Sequence, residues 1–501
     1  MATEDHSLRK RIPQSSHTAE SSDGLGDSSR PGGKIPHPAG EVKYNVLSQI
    51  LRALLLLTWF NCGAVCINVT QFLGAPLYWL NKDYYYAYMA LTKQSFAIMG
   101  IAGTRWFSPT KVRVSWDKDL RGQFRKTSAG RLETAFPERL VYIANHQVYT
   151  EWLYLWWIAY TSRMHGHIFI ILKESLKYVP VLGPGMMFYG FIFMARKWIS
   201  DKPRLKHRLE KLKTRHSGPM SGSDGLDPMW LLIFPEGTNL SQNMKQGSAK
   251  WAAKQGIPDM RHQLLPRSTG LLFCLQELQG TVDWVYDCTI AYEGTPKGGF
   301  APDIFTIRST YLQGRPPKSV NMYWRRFAMS SIPLSDAKEF ELWLIERWRE
   351  KDEMLEQWYN TGRFPSDAES ADAKHGVSEE GFIETEMTLN HWMEIGQIYV
   401  VLATFALVVN VVVKSFELER RSMDHHVAYN WNWREECWQF GRIGTRDGTI
   451  GWCWISTSSE GERDVFEANH GKRARLTPGT TEYRTRTWAL HGLCMGTWNA
   501  E

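Results

Sequence analysis

Short apolar runs alternate with helical patterns over residues 112–365, and this rhythm limits what the chain can fold into. The runs read LVYIAN, TEWLYLWWIAY, HIFIIL, FIFMA, WLLIF and YDCTIAY. Short apolar runs rich in β-branched and aromatic residues are typical of strands, and the longer amphipathic ones between them are typical of helices. Such alternation favours βαβ units, so we predict an α/β fold with a mixed sheet flanked by helices.

Long apolar runs lie on either side of this region. Residues 47–73 and 395–413 are each long enough to cross ~30 Å of hydrocarbon as a helix, and we predict a membrane helix at both. For 395–413 the alternative is a buried helix. Residues 84–101 are interrupted by Lys93 and Gln94, so a span, a re-entrant helix and an interfacial helix all stay open there.

Composition shifts divide the chain further. The first residues are rich in Ser, Gly, Pro and charge, which cannot bury enough apolar surface to fold alone. The last segment carries seven Trp and shows no helical or strand period. It is either a disordered tail or a stretch that is not the natural continuation of the gene. We predict a disordered tail at 1–43, membrane helices at 44–104, a catalytic domain at 105–365, a linker at 366–394, a transmembrane helix at 395–413 and an unpatterned tail at 414–501. A charged helix is predicted at 340–359, with its charges on a solvated face.

The bulk composition narrows the partners. The chain has 23 Trp, 20 Tyr and 22 Phe, which suit a protein with one side in lipid, although a large aromatic core gives the same counts. A net charge of +7 is compatible with anionic lipid head groups or coenzyme A phosphates and too weak to indicate nucleic acid. Seven Cys without a CxxC pair suggest neither a disulfide framework nor a metal site.

Charged or polar groups follow four of the predicted strands. LVYIA runs into Asn145 and His146, IFIIL into Lys173, FIFMA into Arg196, and WLLIF into the turn PEGT at 235–238. Open α/β sheets bind ligands beyond the carboxyl ends of their strands. Four such ends therefore indicate one shared crevice.

His146 is the candidate general base of this crevice. A neutral imidazole can remove a hydroxyl proton near neutral pH, and a carboxylate on its other ring nitrogen fixes the tautomer. Glu151 lies five residues on, and Thr150 is the candidate N-cap of a helix that starts at Glu151. The alternatives are a capped core histidine for His146 and an acid at the positive end of a helix for Glu151.

The turn at 234–238 and the basic residues are candidates for binding a phosphate. Gly237 lets the backbone approach a ligand, and its N–H is predicted to meet a phosphate oxygen. Glu236 is predicted either to bind the acceptor or to hold the loop. Arg196 can fork onto a phosphate or form a surface ion pair. Lys173 and Arg267 are weaker phosphate candidates, and the whole turn can also be read as an ordinary strand end.

Four motifs resemble those of the glycerolipid and lysophospholipid acyltransferase family. NHQVYTEW resembles its Asn-His-x4-Asp motif, GFIFMAR its arginine-ended second motif, FPEGT its third and LLPRSTG its proline-bearing fourth, in the family's order. Further segments, including LKESLKYVPVLGPGM and FPEGTNLS, resemble the eukaryotic lysocardiolipin, lysophosphatidylinositol and lysophosphatidate acyltransferase branch. The likeness covers about residues 47–413 and neither tail.

The resemblance implies roles for particular residues. His146 would be the base, the carboxylate at 151 its orienting group, and Arg196 with Glu236 and Gly237 the site of the acceptor phosphate. Thr238 completes the third motif and is counted with that site. The family has aspartate where this chain has Glu151, so the charge is kept and the side chain is one methylene longer.

The resemblance also implies substrates and a place in the cell. It implies acyl-CoA as co-substrate, a lysophospholipid as acceptor, no metal or other cofactor, and an integral position in the bilayer of the endoplasmic reticulum or a related membrane. Lysophosphatidylinositol is the favoured acceptor, and lysophosphatidate is the alternative. A non-catalytic membrane scaffold of the same fold is the rival interpretation, and a hydrolase ranks lower because no GxSxG motif is present.

Overall fold

A computed structural model describes residues 36–222, 224–365, 377–378, 381–431, 438–444, 450–457, 463–467 and 473–476. The chain divides into two compact units, residues 1–402 and 403–501. Most of the predicted N-terminal tail and part of the predicted linker, residues 366–376 and 379–380, lie outside the described residues.

The described residues of the first unit form ten strands and ten α-helices, and an eleventh helix begins near the end of the unit. The strands are β1 Lys111–Trp116, β2 Phe124–Lys126, β3 Leu132–Thr134, β4 Arg139–Ala144, β5 Ile168–Lys173, β6 Ile192–Met194, β7 Met229–Ile233, β8 Trp284–Tyr292, β9 Ser319–Ala328 and β10 Ile383–Glu386. The helices are α1 Val46–Gly74, α2 Leu77–Leu80, α3 Lys82–Phe107, α4 Glu151–Thr161, α5 Leu182–Phe188, α6 Trp198–Leu212, α7 Gln242–Gln255, α8 Ser268–Leu278, α9 Ala301–Ile304, α10 Ala337–Thr361 and α11 Gln397–Trp431.

Eight strands form one mixed sheet in the order β10-β1-β9-β8-β4-β7-β5-β6. Five neighbours, β8, β4, β7, β5 and β6, run parallel, so their carboxyl ends meet at one edge. Strand β9 is antiparallel to β8 and parallel to β1, while β10 is antiparallel to β1. The predicted α/β fold with a mixed sheet flanked by helices is confirmed.

Helices cover both faces of the sheet, which explains the nearly unbroken apolar runs of its central strands. One face packs against α1, α3 and α4, and the other packs against α6, α8 and α10. Every residue of β7 and five of the six residues of β4 are buried. Parallel strands covered on both faces carry continuous apolar runs rather than alternating ones, and this pattern is what made them recognisable.

The sheet extends past the predicted domain boundary at 365. Strand β10 lies inside the predicted linker and pairs with β1 through Lys111–Glu386 and Val114–Ile383. Its four residues, IETE, alternate between buried and more exposed positions, and so short a segment gives no usable pattern.

The charged helix α10 differs from its predicted solvated face at two positions, Lys351 and Asp352, which are both buried. Lys351 is completely buried, and its ammonium donates to the Asp287 carboxylate and to the Cys288 carbonyl oxygen at 2.7 Å. Asp287 also accepts from Arg325 Nε at 2.8 Å. Buried charges persist only when they are paired in this way, and the pairing docks α10 on the sheet.

Two helical segments of the described chain are long and apolar enough to cross a membrane, Val46–Leu80 and Trp392–Arg420. They contain the predicted spans at 47–73 and 395–413. Residues 84–101 fall inside α3, which does not pass that test and has fourteen buried residues. Lys93, which interrupts this run, is buried and donates to the Ile168 carbonyl oxygen at 2.9 Å.

The second unit contains regular structure where we predicted an unpatterned tail. Helix α11 continues to Trp431, and four antiparallel strands follow in sequence order: β11 Trp438–Gly444, β12 Ile450–Thr457, β13 Arg463–Glu467 and β14 Arg473–Leu476. Strands such as WQFGRIG mix glycine, arginine and aromatic residues, so they show no apolar alternation in the sequence. The remaining residues of the predicted tail lie outside the described ones.

Candidate active site

The candidate site lies at the edge where the parallel strands end. Asn145 directly follows β4. Its buried side chain continues the pairing of β4 with β8 by forming hydrogen bonds to the backbone of Ile290. Its Nδ2 donates to the Ile290 carbonyl oxygen at 3.0 Å, and its Oδ1 accepts from the Ile290 N–H at 2.8 Å. These two bonds fix the backbone at the point from which His146 projects.

His146 and Glu151 form a hydrogen-bonded pair. The Nδ1 atom of His146 lies 2.8 Å from Oε2 of Glu151, whose side chain is fully buried, while that of His146 is 20% exposed. Glu151 is the first residue of α4, so its side chain can turn back toward the strand end. Its carboxylate also accepts from the Gln147 N–H at 3.0 Å and the Tyr292 hydroxyl at 3.0 Å.

The three donors define the state of this histidine. A carboxylate accepts only, so His146 must carry its proton on Nδ1, and its Nε2 lone pair is left for another partner. Among the described residues, none is hydrogen-bonded to Nε2. Burial raises the pKa of Glu151, and the hydrogen bond and charge of His146 oppose that rise most strongly. The carboxylate is therefore stabilised most when the imidazole is positively charged.

Phe234 holds the imidazole ring from one side. The two rings stack with centroids 4.2 Å apart and planes inclined by 24°. Phe234 follows β7, the strand next to β4, so the sheet itself brings the rings together. Stacking against the ring face leaves the edge of the imidazole that carries Nε2 uncovered by Phe234.

Glu236 supports the backbone of the site. Its side chain is buried, and its two oxygens accept from the His146 N–H at 3.2 Å and the Leu264 N–H at 3.3 Å. Burial raises the pKa of Glu236 to about 8, so a large fraction is neutral at pH 7. Of the two predicted roles, this position favours holding the loop over binding the acceptor.

Gly237 contributes through its shape and its carbonyl group. Its φ of 71° is a conformation that glycine adopts without strain. Its N–H donates to the Phe234 carbonyl oxygen at 2.9 Å, so the predicted contact of this N–H with a phosphate is wrong for this conformation. Its carbonyl oxygen instead accepts from Arg196 Nη2 at 2.7 Å. Thr238 follows, half-buried, at the end of the turn.

Arg196 sits in a strained turn that a buried carboxylate holds. Its φ is 66°, uncommon for a residue with a side chain. Asp201, 1% exposed, accepts from the N–H groups on either side, those of Ala195 and Lys197, both at 2.9 Å. Nη2 is anchored on Gly237, and no other described residue is hydrogen-bonded to the guanidinium, so several of its N–H groups face solvent.

Three exposed basic side chains border this turn, and we call Lys173, Arg196 and Arg267 the cationic edge. Lys173 ends β5 and lies opposite Met194 in the neighbouring strand β6. The backbone N–H of Arg267 donates to the Pro235 carbonyl oxygen at 2.8 Å, which fixes it beside the turn. An added Cβ at position 237 would lie 3.7 Å from Arg267 Cδ, so Arg196 and Arg267 flank Gly237.

The sequence reasoning missed two contributors, the side chains of Asp201 and Tyr292, and it gave no individual role to Asn145 or Phe234, which lie within the quoted motifs. Tyr292 ends the apolar run YDCTIAY, which is the same strand-end signal that identified Lys173 and Arg196. Asp201 lies in the first turn of α6 and gave no signal, because its partners are backbone groups of a turn whose conformation the sequence does not specify.

Comparisons with known proteins agree with this architecture. Residues 127–293 match the family described as Acyltransferase, and residues 310–386 match the Acyltransferase C-terminus. An uncharacterized acyltransferase of Schizosaccharomyces pombe is 35% identical over 354 residues, 71% of this chain and 94% of that protein. The 2-acyl-1-lysophosphatidylinositol acyltransferase of Saccharomyces cerevisiae is 35% identical over 365 residues, 68% of this chain and 91% of that protein. Lysocardiolipin acyltransferase 1 of Gallus gallus is 34% identical over 229 residues, 45% of this chain and 55% of that protein.

The two family matches cover all four motifs and every strand of the eight-stranded sheet except β1. The protein is an acyltransferase enzyme. It belongs to the lysophospholipid acyltransferase family, as the motif resemblance indicated. The rival interpretation as a non-catalytic scaffold is therefore set aside.

Proposed function

We propose that this enzyme transfers an acyl group from acyl-CoA to a free hydroxyl of a lysophospholipid, with His146 as the general base. The observation that carries the proposal is the contact of 2.8 Å between His146 Nδ1 and the buried Glu151 carboxylate, with the other side of the imidazole open to solvent. A base oriented in this way, at the ligand-binding edge of an α/β sheet, suits proton removal from an alcohol.

The proposed step moves one proton and exchanges one bond. The acceptor hydroxyl gives its proton to His146 Nε2 while its oxygen attacks the thioester carbonyl carbon. The carbon–sulfur bond then breaks, and the imidazolium returns the proton to the departing thiolate of coenzyme A. Glu151 stabilises the imidazolium between these two transfers, because opposite charges interact strongly in a buried setting.

The cationic edge is the proposed site of the acceptor phosphate. The side chains of the cationic edge are exposed and lie beyond the ends of β5, β6 and β7. Of these strands, β7 is the direct neighbour of β4, the strand that leads into His146. A guanidinium presents paired N–H donors that match phosphate oxygens. A phosphate held there would leave the acceptor hydroxyl directed toward His146.

Lysophosphatidylinositol is the proposed acceptor. The yeast relative named for lysophosphatidylinositol is aligned over 91% of its own length, whereas the chicken relative named for lysocardiolipin is aligned over 55%. Lysocardiolipin and lysophosphatidate are the other two acceptors to be tested.

The membrane position is also part of the proposal. Val46–Leu80 and Trp392–Arg420 are proposed to enter the bilayer of the endoplasmic reticulum or a related membrane. Leucine and isoleucine side chains at the start of α1 are more than half exposed, which would be costly in water over so long a stretch.

An acceptor panel tests the proposed function. Membranes carrying the enzyme would receive acyl-CoA with lysophosphatidylinositol, lysocardiolipin, lysophosphatidate or water alone, and free coenzyme A thiol and the diacyl product would be followed. We expect thiol release that requires a lysophospholipid and is fastest with lysophosphatidylinositol. Equal release with water and with every lipid would show hydrolysis, and none above empty membranes would contradict the proposal.

Replacing Arg196 by lysine should raise the KM for the acceptor about tenfold or more with little change in kcat. Lysine keeps the charge but loses the paired donors and the anchor on the Gly237 carbonyl oxygen. Steady-state kinetics with varied acceptor measure the effect. Arg349→Lys is the matched control, because Arg349 also binds a backbone carbonyl oxygen, that of Pro258, away from the site. An unchanged acceptor KM would remove Arg196 from the phosphate site.

Replacing Asp201 by asparagine should raise the acceptor KM several-fold by releasing the turn that holds Arg196. An amide offers one accepting oxygen in place of two, so one of the N–H groups of Ala195 and Lys197 loses its partner. If Asp201 acts through Arg196, the double variant with Arg196→Lys should have nearly the same KM as Arg196→Lys alone. Fully multiplicative effects would show that Asp201 acts independently.

A further inference from the structure

Helix α1 turns small and polar residues inward and large apolar residues outward. Its buried residues recur at helical spacing: Gly63, Ala64, Ile67, Thr70, Gln71 and Gly74. On the opposite side Leu51, Thr58, Val65 and Phe72 follow one another at seven-residue intervals, and we call these four the outer stripe. Its three apolar members are 46–60% exposed, whereas a surface helix of a water-soluble domain has its apolar side inward. The outer stripe therefore needs an apolar environment.

Hydrogen bonds join both halves of α1 to the part of the first unit that follows α3, which we call the sheet domain. In the first half, the Arg52 guanidinium donates to the Tyr311 carbonyl oxygen at 2.9 Å. In the second half, Asn68 Nδ2 donates to the Val181 carbonyl oxygen at 2.5 Å. Tyr311 lies between β8 and β9, and Val181 lies between β5 and β6. The two contacts are about 24 Å apart along the helix axis, which is most of the thickness of a bilayer core.

Helix α3 is fixed to the sheet domain in the same way. Near its start, Asp83 pairs with His216 at 3.0 Å. Near its end, the Thr104 hydroxyl lies 3.2 Å from the Tyr311 hydroxyl. The buried contact of Lys93 with the start of β5 lies between them. Both the turn that joins α1 to α3 and the open end of this hairpin are therefore held against one domain.

These contacts prevent the hairpin from crossing a membrane while it stays packed. A crossing helix separates its two ends by a hydrocarbon core of ~30 Å. The sheet domain would then have to enter that core, because it contacts α1 and α3 along their length. Open sheet edges and irregular loops cannot lie in hydrocarbon, since their backbone groups find no hydrogen-bond partners there. Exposed charges on α6, such as Lys206 and Glu210, would be taken into the core with them.

The side chains around the end of the outer stripe identify lipid as its partner. The turn between the helices and the start of α3 expose Tyr78, Trp79 and Tyr84, by 37%, 80% and 60%. Aromatic rings with a polar tip concentrate where hydrocarbon meets water. Lys82 lies among them, and its ammonium is 5.4 Å from the centre of the Tyr78 ring. A long apolar stripe that ends in exposed aromatic and basic side chains is typical of a helix that lies in a membrane interface.

We propose that α1 and α3 form a hairpin that enters one leaflet without crossing the bilayer, a proposal that rests on the membrane position proposed above. The outer stripe lies parallel to the membrane surface, among the upper parts of the acyl chains. The sheet domain stays on the aqueous side of the same leaflet. An interfacial helix thus replaces the span that the apolar length of residues 47–73 allows, and the acceptor lipid is drawn from the leaflet that holds the hairpin.

The depth of the outer stripe tests this proposal. Nitroxide labels in the single variants Leu51→Cys, Thr58→Cys, Val65→Cys and Phe72→Cys report depth through collisions with oxygen and with a water-soluble nickel complex. The full chain would be used in phosphatidylcholine and phosphatidylinositol vesicles, with the native cysteines replaced by alanine. We expect four similar depths of about 5–10 Å. A profile that is shallow at both ends and ~15 Å deep at Thr58 and Val65 would overturn the proposal, because that is the profile of a span.

A label in Leu342→Cys is the matched control. Leu342 is 60% exposed, as Phe72 is, but it lies on α10, in the helical layer on the other face of the sheet. This label should collide freely with the nickel complex and show no insertion. Outer-stripe labels that behave like the control would show that the stripe contacts water, and the proposal would be wrong.

Cross-linking in native membranes is a second measurement. Asp83→Cys with His216→Cys should be joined by a short bismaleimide, because the hairpin turn stays beside the sheet domain. Lys213→Cys with Glu277→Cys is the control pair, since these side chains form an ion pair at 2.9 Å within the sheet domain. A linked control pair with an unlinked hairpin pair would put the turn on the far side of the membrane, against the proposal.

The hairpin assignment and the proposed function fail separately, because neither measurement requires turnover. A protein with a flat, shallow depth profile that transfers no acyl group would contradict the proposed function and leave the hairpin in place. An enzyme that transfers acyl groups and shows the profile of a span would contradict only the hairpin.

Discussion

Replacing His146 by alanine should lower kcat by ~10²–10⁴-fold while the enzyme stays folded, since a positioned general base contributes about that much. The imidazole has one nitrogen bound to Glu151 and no described partner on the other, so it is the group available to take the acceptor proton. Alanine keeps the backbone N–H that donates to Glu236, and it removes only the imidazole ring. The measurement is acyl transfer per folded molecule at saturating acyl-CoA and acceptor.

His216→Ala is the matched control for this variant. His216 also pairs with a carboxylate, Asp83, at 3.0 Å, and its side chain is 21% exposed, against 20% for His146. It should cost a similar amount of stability and leave kcat unchanged. Retention of more than about a tenth of the wild-type rate by His146→Ala would remove His146 from the role of base.

Replacing Glu151 by glutamine should lower kcat/KM by roughly 10²–10⁴-fold, because an amide carries no charge to stabilise the imidazolium and can also select the wrong tautomer of His146. Its oxygens face His146 Nδ1, the Gln147 N–H and the Tyr292 hydroxyl. An amide NH₂ turned toward Nδ1 would move the ring proton to Nε2, where the base must be free. An NH₂ turned the other way would face the Tyr292 hydroxyl, which can accept from it, so in that orientation the main loss is the negative charge.

Glu151→Asp should cost less, about tenfold. The shorter side chain keeps the charge but withdraws the carboxylate by about 1.5 Å, so at least one of its three contacts is lost. The structure thus indicates that this turn has adapted to glutamate, although the family motif has aspartate. Both variants would be compared with wild type as kcat/KM corrected for folded protein, with Glu277→Gln, which breaks an ion pair with Lys213 at 2.9 Å, as control. A Glu151→Gln enzyme as active as wild type would leave Glu151 as a helix-terminal acid worth ~0.3–1 kcal/mol of stability.

The sheet was predictable because its central strands are buried on both faces. LVYIA, IFIIL and WLLIF needed no knowledge of their neighbours to be read as strands, and they are β4, β5 and β7 apart from a residue or two at each end. Strand β10 could not be found in the same way, since it is a four-residue edge strand defined by its pairing with β1. Lys351 was misread for a related reason, because its buried partner Asp287 lies 64 positions away in the sequence.

The site was predictable where a strand end and a motif coincide. His146, Arg196 and Gly237 could be picked out as candidates because each lies within four residues of the end of a recognisable strand. The same reasoning could not show that the Gly237 N–H is used within its own turn or that Glu236 faces the backbone, since both depend on how the turn closes. Asp201 was out of reach, because only the folded turn places its carboxylate between two N–H groups.

The central claim is that Glu151 acts through His146, and the double variant His146→Ala/Glu151→Gln tests it most directly. If two residues work as one unit, the second replacement slows the reaction no further once the first has been made. If they act independently, the two rate reductions multiply. Product formation from acyl-CoA and lysophospholipid would be measured by mass spectrometry for wild type, both single variants and the double variant, against empty membranes. We predict that the double variant is no slower than His146→Ala alone. A double variant slowed by the full product of the two single effects would contradict the dyad.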